Sequence, residues 1–406
     1  MVDNLEDLDR EITNLENNSA HTSTTIIVAD ATYESLVAPA LNRYISPTGG
    51  CACTIKAATD YKVNFRGRVF WRLYNSKNLT IRGINFIRTQ YVPGKPPVVD
   101  FSGGSNNKII NGIFAEAISS VPSGNNYYIQ FYEGNNNAVD NIFFKHKYSY
   151  GHYVNMYHSN NNKLINSTFV EVSKIDKEKN FYVQAIESEY NQIKNCSFSN
   201  KMSYGDYIYI GGGANNIIDS NTFSESDFPK DSSAEVTFRN RIDYYDGIKY
   251  YVDLHKGDRQ IVKNNTFHNK FSHGHFIDIS DYESDQAKNH HQIIDNYFGN
   301  MYLRDSTEYS MIKIGMCGGL STADVDAGIL VEGNTFENYN YTGEQNTKPY
   351  TEVISNKSSG NSYINNTFIN CGGYLRLRCG DNVTVIGNRF CWQKPDFGRR
   401  VISKWL

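Results

Sequence analysis

Asn107-Lys-Ile-Ile-Asn-Gly-Ile-Phe114 and Asn162-Lys-Leu-Ile-Asn-Ser-Thr-Phe169 are two copies of one eight-residue phrase, and related copies recur along most of the chain. Consecutive copies end 22 to 44 residues apart. Self-similarity at such a period is the sequence signature of a solenoid. The copies end at Phe86, Phe114, Phe144, Phe169, Phe198, Phe223, Phe267, Phe298, Phe336, Phe368 and Phe390.

Apolar residues alternate with polar residues inside each copy, and this pattern predicts short β-strands rather than helices. Asn and Gly stand at the corners, where they tolerate a left-handed backbone. We therefore predict an all-β, right-handed, single-stranded parallel β-helix of roughly 11–12 coils with a short N-terminal helix. A single coil cannot bury its inner face, so Ile and Phe stacked on the next coil must supply the core.

Other repeat architectures fit this phrase less well. Leucine-rich repeats need a Leu-dominated consensus, whereas this phrase is built from Ile, Asn and Phe. Helical repeats need a helical period, which the copies lack. A β-propeller needs four strands per repeat, and most of the spacings are too short for that.

Charge and cysteine content restrict the function classes. The chain has 406 residues and a net charge of −3, which gives no reason to expect binding to nucleic acid or to an anionic membrane. No apolar run is long enough to span a membrane. No secretory signal is visible, which leaves the localisation open, with extracellular or virion-associated sites among the options. Seven cysteines, an odd number, predict free thiols rather than a disulfide framework.

The beginning of the chain differs from the rest. We predict a leader over residues 1–23 and one β-helix domain over residues 24–406. The leader has apolar residues at heptad spacing, which permits either a short amphipathic helix that caps the first coil or a coiled-coil oligomerisation stalk. These residues are Leu5, Leu8, Ile12 and Leu15.

Glu352, Lys357 and Arg378 form the most specific candidate site. Lys357 and Arg378 are 21 residues apart, which is close to one short coil of this repeat. Stacked coils lie about 4.8 Å apart, so the two side chains are predicted to face the same groove.

Such a group suits β-elimination from a uronic acid. This reaction removes the proton next to a carboxylate, whose charge must first be neutralised. A cation held by Glu352 would do this. Lys357 would act as the base, because burial and neighbouring positive charge favour its neutral amine. Arg378 would stabilise the developing negative charge.

The stretches Glu352-Val-Ile-Ser-Asn-Lys357 and Leu375-Arg-Leu-Arg378 resemble the signature of polysaccharide lyase family 6, the chondroitinase B-like lyases and alginate lyases. Met311-Ile-Lys313-Ile-Gly315 is similar to another strand of that family. The resemblance implies a right-handed parallel β-helix that cleaves 4-linked uronate polymers, commonly with Ca²⁺. It also implies that Lys357 is the base, Arg378 the catalytic arginine and Glu352 a calcium ligand.

The same resemblance suggests further site residues. Asp305 and Glu308 are candidates for additional metal ligands beside Glu352. Tyr350 stands where the family has an acid, which weakens the expected Ca²⁺ site. Cys379 replaces a family histidine. The predicted substrate-binding residues are Lys313, Arg376, Asn356 and Tyr350.

Two functions remain open from the sequence. The first is a lyase that cleaves an anionic polysaccharide of the alginate or chondroitin/dermatan type by β-elimination. The alternative is a non-catalytic β-helix that binds glycan or builds an assembly, such as a virion or tail-spike component. The repeat stops after Phe390, so a homo-oligomer or a partner chain at the open C-terminal coil is also predicted.

Overall fold

The computed structural model forms two compact units, Met1–Ser203 and Tyr204–Leu406. The boundary predicted between residues 23 and 24 stays a prediction. The structure describes residues 1–17, 23–35, 39–46, 52–90, 97–118, 126–148, 151–171, 180–201, 203, 205–225, 250–280, 289–303, 310–315, 326–341 and 352–391.

Strands of the first unit form three rows, and the paired strands within each row run parallel. Two long strands, Lys108–Ile118 and Ala138–Tyr148, run through the first and second rows. The first row also contains Thr25–Val28, Cys53–Ala57, Leu79–Arg82, Lys163–Ile165 and Gln192–Lys194. The second also contains Thr32–Ser35, Val63–Gly67, Ile84–Thr89, Thr168–Val170 and Ser197–Ser199. The third contains Asn42–Tyr44, Phe70–Arg72, Val99–Asp100, Ile129–Tyr132, Val154–Tyr157 and Val183–Ile186.

Strands of the second unit also form three rows, and the paired strands within each row run parallel. The first row contains Ile217–Asp219, Ile261–Lys263, Gln292–Ile294, Leu330–Glu332, Ser362–Ile364 and Thr384–Ile386. The second contains Thr222–Ser224, Thr266–Lys270, Tyr297–Leu303, Thr335–Tyr341, Thr367–Ile369 and Arg389–Cys391. The third contains Ile208–Gly211, Val252–His255, Ile277–Ile279, Ile312–Gly315, Glu352–Lys357 and Tyr374–Leu377. The predicted right-handed parallel β-helix is confirmed as the fold class.

The phenylalanines that end the repeated phrase stack along the core of each unit. In the first unit, the ring centroids of Phe144 and Phe169 are 4.5 Å apart. In the second unit, Phe267 and Phe298 are 4.9 Å apart, with an interplanar angle of 4°. These distances match the spacing of neighbouring strands in a sheet, about 4.8 Å, so each coil contributes one ring to a continuous stack.

Asparagines at the corners connect neighbouring coils. In the second unit, the backbone N–H of Asn296 donates to Oδ1 of Asn334 (2.9 Å), and the N–H of Asn334 donates to Oδ1 of Asn366 (3.0 Å). The preceding corner residue, Asn365, has a φ of 54°. Asn suits both positions because it tolerates the left-handed region and its amide satisfies a buried backbone group. The Asn-rich phrase therefore encodes the turn as well as the strand.

The N-terminal helix Leu5–Asn17 packs against the short 3₁₀ helix Pro39–Leu41 and the strand Thr25–Val28 of the first unit. It begins after Asn4, whose side chain accepts a hydrogen bond from the backbone N–H of Asp7 (2.8 Å). Its apolar residues Leu8, Ile12 and Leu15 are buried. This burial favours the cap over the oligomerisation stalk. None of the helices in the described part of the chain has the length and apolar character needed to cross a membrane.

The second unit buries a glutamate, a lysine and a serine together. Glu225 accepts hydrogen bonds from the backbone N–H groups of Phe271 (2.7 Å) and Ser272 (2.8 Å). Lys270 Nζ donates to Ser272 Oγ (2.8 Å), lies 3.9 Å from the Glu225 carboxylate and is 4.7 Å from the centre of the Tyr251 ring. The Lys270 side chain is completely buried, so its charge depends on these neighbours.

This cluster predicts a pH-dependent stability. Burial lowers the pKa of Lys270 to about 8, although the charge of Glu225 acts in the opposite direction. Between pH 8 and the ordinary value of 10.5, the unfolded chain holds a proton that the folded chain has released. The unfolding free energy therefore rises with pH in this window, by up to about 1.4 kcal/mol per pH unit, and the contribution is constant below it.

The comparison variant is Glu225→Gln/Lys270→Met, which removes both charges. We expect the unfolding free energy of the wild type, minus that of this variant, to increase from pH 8 to pH 10. Urea unfolding at each pH provides the measurement. A difference that stays constant over this range would contradict the assignment.

Candidate active site

Three neighbouring strands of the second unit, Ile312–Gly315, Glu352–Lys357 and Tyr374–Leu377, carry most of the predicted site residues. Lys313 pairs in register with Ser355, which in turn pairs with Arg376. Ile312 and Ile314, on either side of Lys313, are fully buried in the core. Because side chains alternate along a strand, the three polar residues lie on the outer face of the sheet.

Lys357 and Arg378 lie at neighbouring positions on adjacent strands. The backbone N–H of Arg378 donates to the carbonyl of Asn356 (2.9 Å), which continues the parallel pairing one step beyond Leu377. On the other side, Lys357 pairs with Gly315, which has a φ of 75° and presents no side chain to it. The structure therefore brings Lys357 and Arg378 together as the spacing predicts. Their catalytic roles stay predictions.

Glu352 holds two arginines on this face. Its Oε1 accepts hydrogen bonds from Nη1 of Arg376 (2.7 Å) and from Nε of Arg378 (2.6 Å). The Glu352 side chain is only 6% exposed, whereas those of Arg376 and Arg378 are 31% and 21% exposed. Charge-assisted hydrogen bonds to a buried carboxylate are short and directional, so Glu352 fixes both guanidinium groups in place.

Lys313 is held by a residue that the sequence analysis did not single out. Its Nζ lies 3.0 and 3.4 Å from the two carboxylate oxygens of Asp278, on the preceding strand. The Asp278 side chain is 1% exposed and that of Lys313 is 13% exposed. A signal was available, because Ile277-Asp278-Ile279 has the same alternation as Ile312-Lys313-Ile314.

Ser355 is a second residue missed by the sequence analysis. It lies between Lys313 and Arg376 in the register and is buried. Its hydroxyl oxygen has no hydrogen-bond partner within the described structure. A buried polar group of this kind needs an explanation, and a group of a bound ligand would satisfy it.

Asn356 is placed differently from the other predicted substrate-binding residues. It is fully buried. Its amide nitrogen donates to the carbonyls of Ser358 (2.9 Å) and Cys379 (3.1 Å), and its Oδ1 accepts from the hydroxyl of Tyr363 (2.7 Å). The structure therefore does not bring the Asn356 amide onto the face of Lys357 and Arg376. Instead, the amide connects the turn to the next coil.

These residues lie in a segment that is similar to a known family. Residues 246–399 match the chondroitinase B family model. The resemblance noted in the sequence is thereby confirmed for a segment that contains Lys313, Glu352, Lys357 and Arg378. A search of curated proteins finds no match to this chain.

Solved structures extend the comparison to most of the chain. A mannuronic acid specific polysaccharide family 6 lyase from human gut microbiota is 12% identical, with a TM-score of 0.53 over 91% of this chain and 86% of that chain. The catalytic domain of a GH87 α-1,3-glucanase is 14% identical, with a TM-score of 0.62 over 94% and 67%. The Streptococcus pneumoniae surface protein and adhesin PfbA is 12% identical, with a TM-score of 0.53 over 96% and 94%. At these identities the similarity establishes the fold.

The segment that matches the chondroitinase B model does not present a good calcium site among its described residues. Oε1 of Glu352, the predicted ligand, already accepts hydrogen bonds from two guanidinium groups, whose charge opposes a bound cation. No group of three or more His, Cys, Asp or Glu able to hold a metal occurs within the described ranges. Tyr350, Asp305 and Glu308 lie outside those ranges, so their roles as metal or substrate ligands stay predictions.

The cysteines of the chain correct one prediction. Cys379, next to Arg378, is disulfide-bonded, so the expectation of free thiols is wrong at this position. Cys53, Cys196, Cys371 and Cys391 are not disulfide-bonded, as expected. An odd count of cysteines indicates that one is left over, but it does not say which residues the fold brings within bonding distance.

Proposed function

We propose that this protein is a polysaccharide lyase that cleaves a 4-linked uronic acid polymer by β-elimination. The chondroitinase B match supports a carbohydrate-active enzyme, and the arrangement of side chains supports the reaction type. One observation carries the proposal: Lys357 lies beside Arg378 on a face where buried Glu352 positions two arginines. A base and an ordered set of cations are the groups that this elimination requires.

Lys357 and Arg378 have different roles in the proposed reaction. The amine of Lys357 takes the proton from the carbon next to the uronate carboxylate, and the positive charge of Arg378 favours the neutral amine that can accept it. The electron pair of that C–H bond forms a double bond to the neighbouring carbon. The bond from this carbon to the glycosidic oxygen breaks, and the oxygen takes a proton from water. The Lys357 ammonium then returns its proton to solvent, which restores the base. Arg378 stabilises the negative charge that develops during these steps.

The substrate carboxylate is neutralised by side chains in this proposal. Arg376 and Lys313 flank Ser355 on the outer face, and each is already oriented by a buried carboxylate, Glu352 and Asp278 respectively. Arginine binds carboxylates through two parallel hydrogen bonds, which suits this task. The Ser355 hydroxyl between them is available to the same ligand.

Metal removal tests this part of the proposal. After dialysis against EDTA, we expect the protein to keep at least half of its lyase activity, because the cations that neutralise the substrate are side chains. Initial rates before and after dialysis, with and without added CaCl₂, provide the measurement. Complete loss that CaCl₂ restores would favour a calcium-dependent mechanism and overturn the role of Arg376 and Lys313.

The reaction itself is tested with a panel of polymers. Alginate, polymannuronate, polyguluronate, chondroitin and dermatan are incubated separately with the protein, and the ultraviolet absorbance of the unsaturated uronate is followed. We expect absorbance to rise with at least one polymer. No rise with any of them, combined with binding to one of them, would favour the non-catalytic glycan-binding alternative.

A further inference from the structure

The first unit has a polar face of its own on the third row of strands. Ile129–Tyr132, Val154–Tyr157 and Val183–Ile186 lie side by side in register. Gln130, Asn155 and Gln184 pair along one line of this row. Buried apolar residues alternate with them, so the three amides lie on the outer face of the sheet.

Two tyrosines lie beside the line of amides on the same face. Tyr132 and Tyr157 are register partners, two residues beyond Gln130 and Asn155 on the same strands. Their ring centroids are 5.7 Å apart, the interplanar angle is 6°, and Tyr132 is 38% exposed. Tyrosine offers an apolar ring and a hydroxyl at the same place, a combination that is enriched where proteins bind other molecules.

Asn155 is the residue that points to a ligand. It is only 4% exposed, yet its Oδ1 has no hydrogen-bond partner in the described structure. Leaving a buried acceptor unsatisfied costs about 1–3 kcal/mol, so buried polar atoms nearly always have a partner. A donor supplied by a bound molecule would satisfy this atom on the outer face, between Gln130 and Gln184.

The charges around this face select against an anionic ligand. The outward positions of these three strands carry amides, tyrosines and Ile186, with no lysine or arginine among them. The exposed Glu133 follows Tyr132. Glu187 follows Ile186, and its side chain is 61% exposed and lies 3.2 Å from His158. Carboxylates at this edge would repel a uronate, whereas amides and phenols suit hydroxyl groups, because both can donate and accept hydrogen bonds.

We infer that Gln130, Asn155, Gln184, Tyr132 and Tyr157 form a second glycan-binding surface, the amide–tyrosine face, which takes an uncharged, hydroxyl-rich oligosaccharide. This surface goes beyond the proposed lyase function and belongs to the first unit alone. The amides bind sugar hydroxyls, and the tyrosines contact the apolar faces of the sugar rings. The amides recur on three adjacent strands and the tyrosines on two of them, and this repetition suits a repeating polymer.

Binding is tested with neutral probes in a background that cannot cleave. Cellohexaose, mannohexaose and chitohexaose are titrated calorimetrically into the full chain carrying Lys357→Ala, with an oligomannuronate as the charged comparison. We expect saturable binding of at least one neutral probe. We also expect Gln130→Ala and Asn155→Ala each to weaken this binding at least tenfold. Because binding is measured without turnover, the result does not depend on whether the lyase proposal is correct.

The matched control is Gln192→Ala, which removes an amide from a first-row strand of the same unit. This control should leave affinity unchanged, and circular dichroism checks that every variant is folded. Gln130 is only partly buried, so its variant tests the face even if Asn155→Ala fails to fold. Absence of binding by all neutral probes would overturn the inference. An equal loss of affinity in the Gln192→Ala control would also overturn it. So would an oligomannuronate that binds more tightly than the neutral probes and whose binding is abolished by Gln130→Ala.

Discussion

Lys357→Ala is expected to lower the rate of unsaturated uronate formation by about 10²- to 10⁴-fold, the range that a positioned general base contributes. Lys357 pairs with Gly315 on one side and lies at the position next to Arg378 on the other, and neither a glycine nor an arginine can accept the proton in its place. Affinity for the polymer should change much less, because Arg376 and Lys313 remain. Initial rates and calorimetric binding to the same polymer separate the two effects.

Lys357→Arg makes this test sharper. Arginine keeps the positive charge but does not lose its proton in proteins, so it cannot serve as the base. We expect this variant to be as inactive as Lys357→Ala. Lys263→Ala, which removes a lysine from a first-row strand of the same unit, should keep full activity. If Lys357→Arg retained activity, Lys357 would act through its charge rather than by accepting a proton.

Glu171→Ala is expected to destabilise the first unit by about 3–5 kcal/mol, the cost of leaving a buried charge without its partner. Glu171 is completely buried and accepts hydrogen bonds from the backbone N–H of Ser203 (2.7 Å), the Ser203 hydroxyl (2.9 Å) and the Tyr153 hydroxyl (3.2 Å). Lys201 Nζ, also completely buried, lies 3.7 Å from its carboxylate. Without Glu171, the Lys201 ammonium loses this buried counter-charge.

Urea unfolding provides the measurement, followed through tryptophan fluorescence, to which Trp71 contributes from its buried position in the first unit. The double variant Glu171→Met/Lys201→Met is the control. Replacing both members of a buried ion pair with apolar residues is often neutral or stabilising, so this variant should be close to wild type or above it. A single Glu171→Ala variant within about 1 kcal/mol of wild type would mean that burial of this charge is not costly here.

Features that repeat along the chain were predictable because they depend on local rules. The alternation around Phe267 and Phe298 predicts strands, and the regular return of phenylalanine predicts a stacked core, which the 4.9 Å ring spacing confirms. Corner residues such as Asn365 were predictable for the same reason, since Asn accommodates the positive φ of 54°. Lys357 and Arg378 were predicted to be neighbours because no long loop interrupts the coil between them.

Contacts between coils of unequal length were not predictable in this way. Asp278 and Lys313 are 35 residues apart, so their pairing depends on how much of that interval is loop. The hydrogen bonds of Glu352 to Arg376 and Arg378 were likewise unforeseen. Sequence similarity suggested a calcium ligand, whereas the register places two guanidinium groups against the same oxygen.

The sequence by itself therefore determined the parallel β-helix, its phenylalanine core and the adjacency of Lys357 to Arg378. Only the tertiary structure decided what Glu352 contacts, that the Asn356 amide faces inward, that Cys379 is bonded and that Asn155 carries an unsatisfied acceptor. The physical reason is that strand alternation and corner preferences act over a few residues. Side-chain partners depend instead on the register between coils, which the lengths of the intervening loops set.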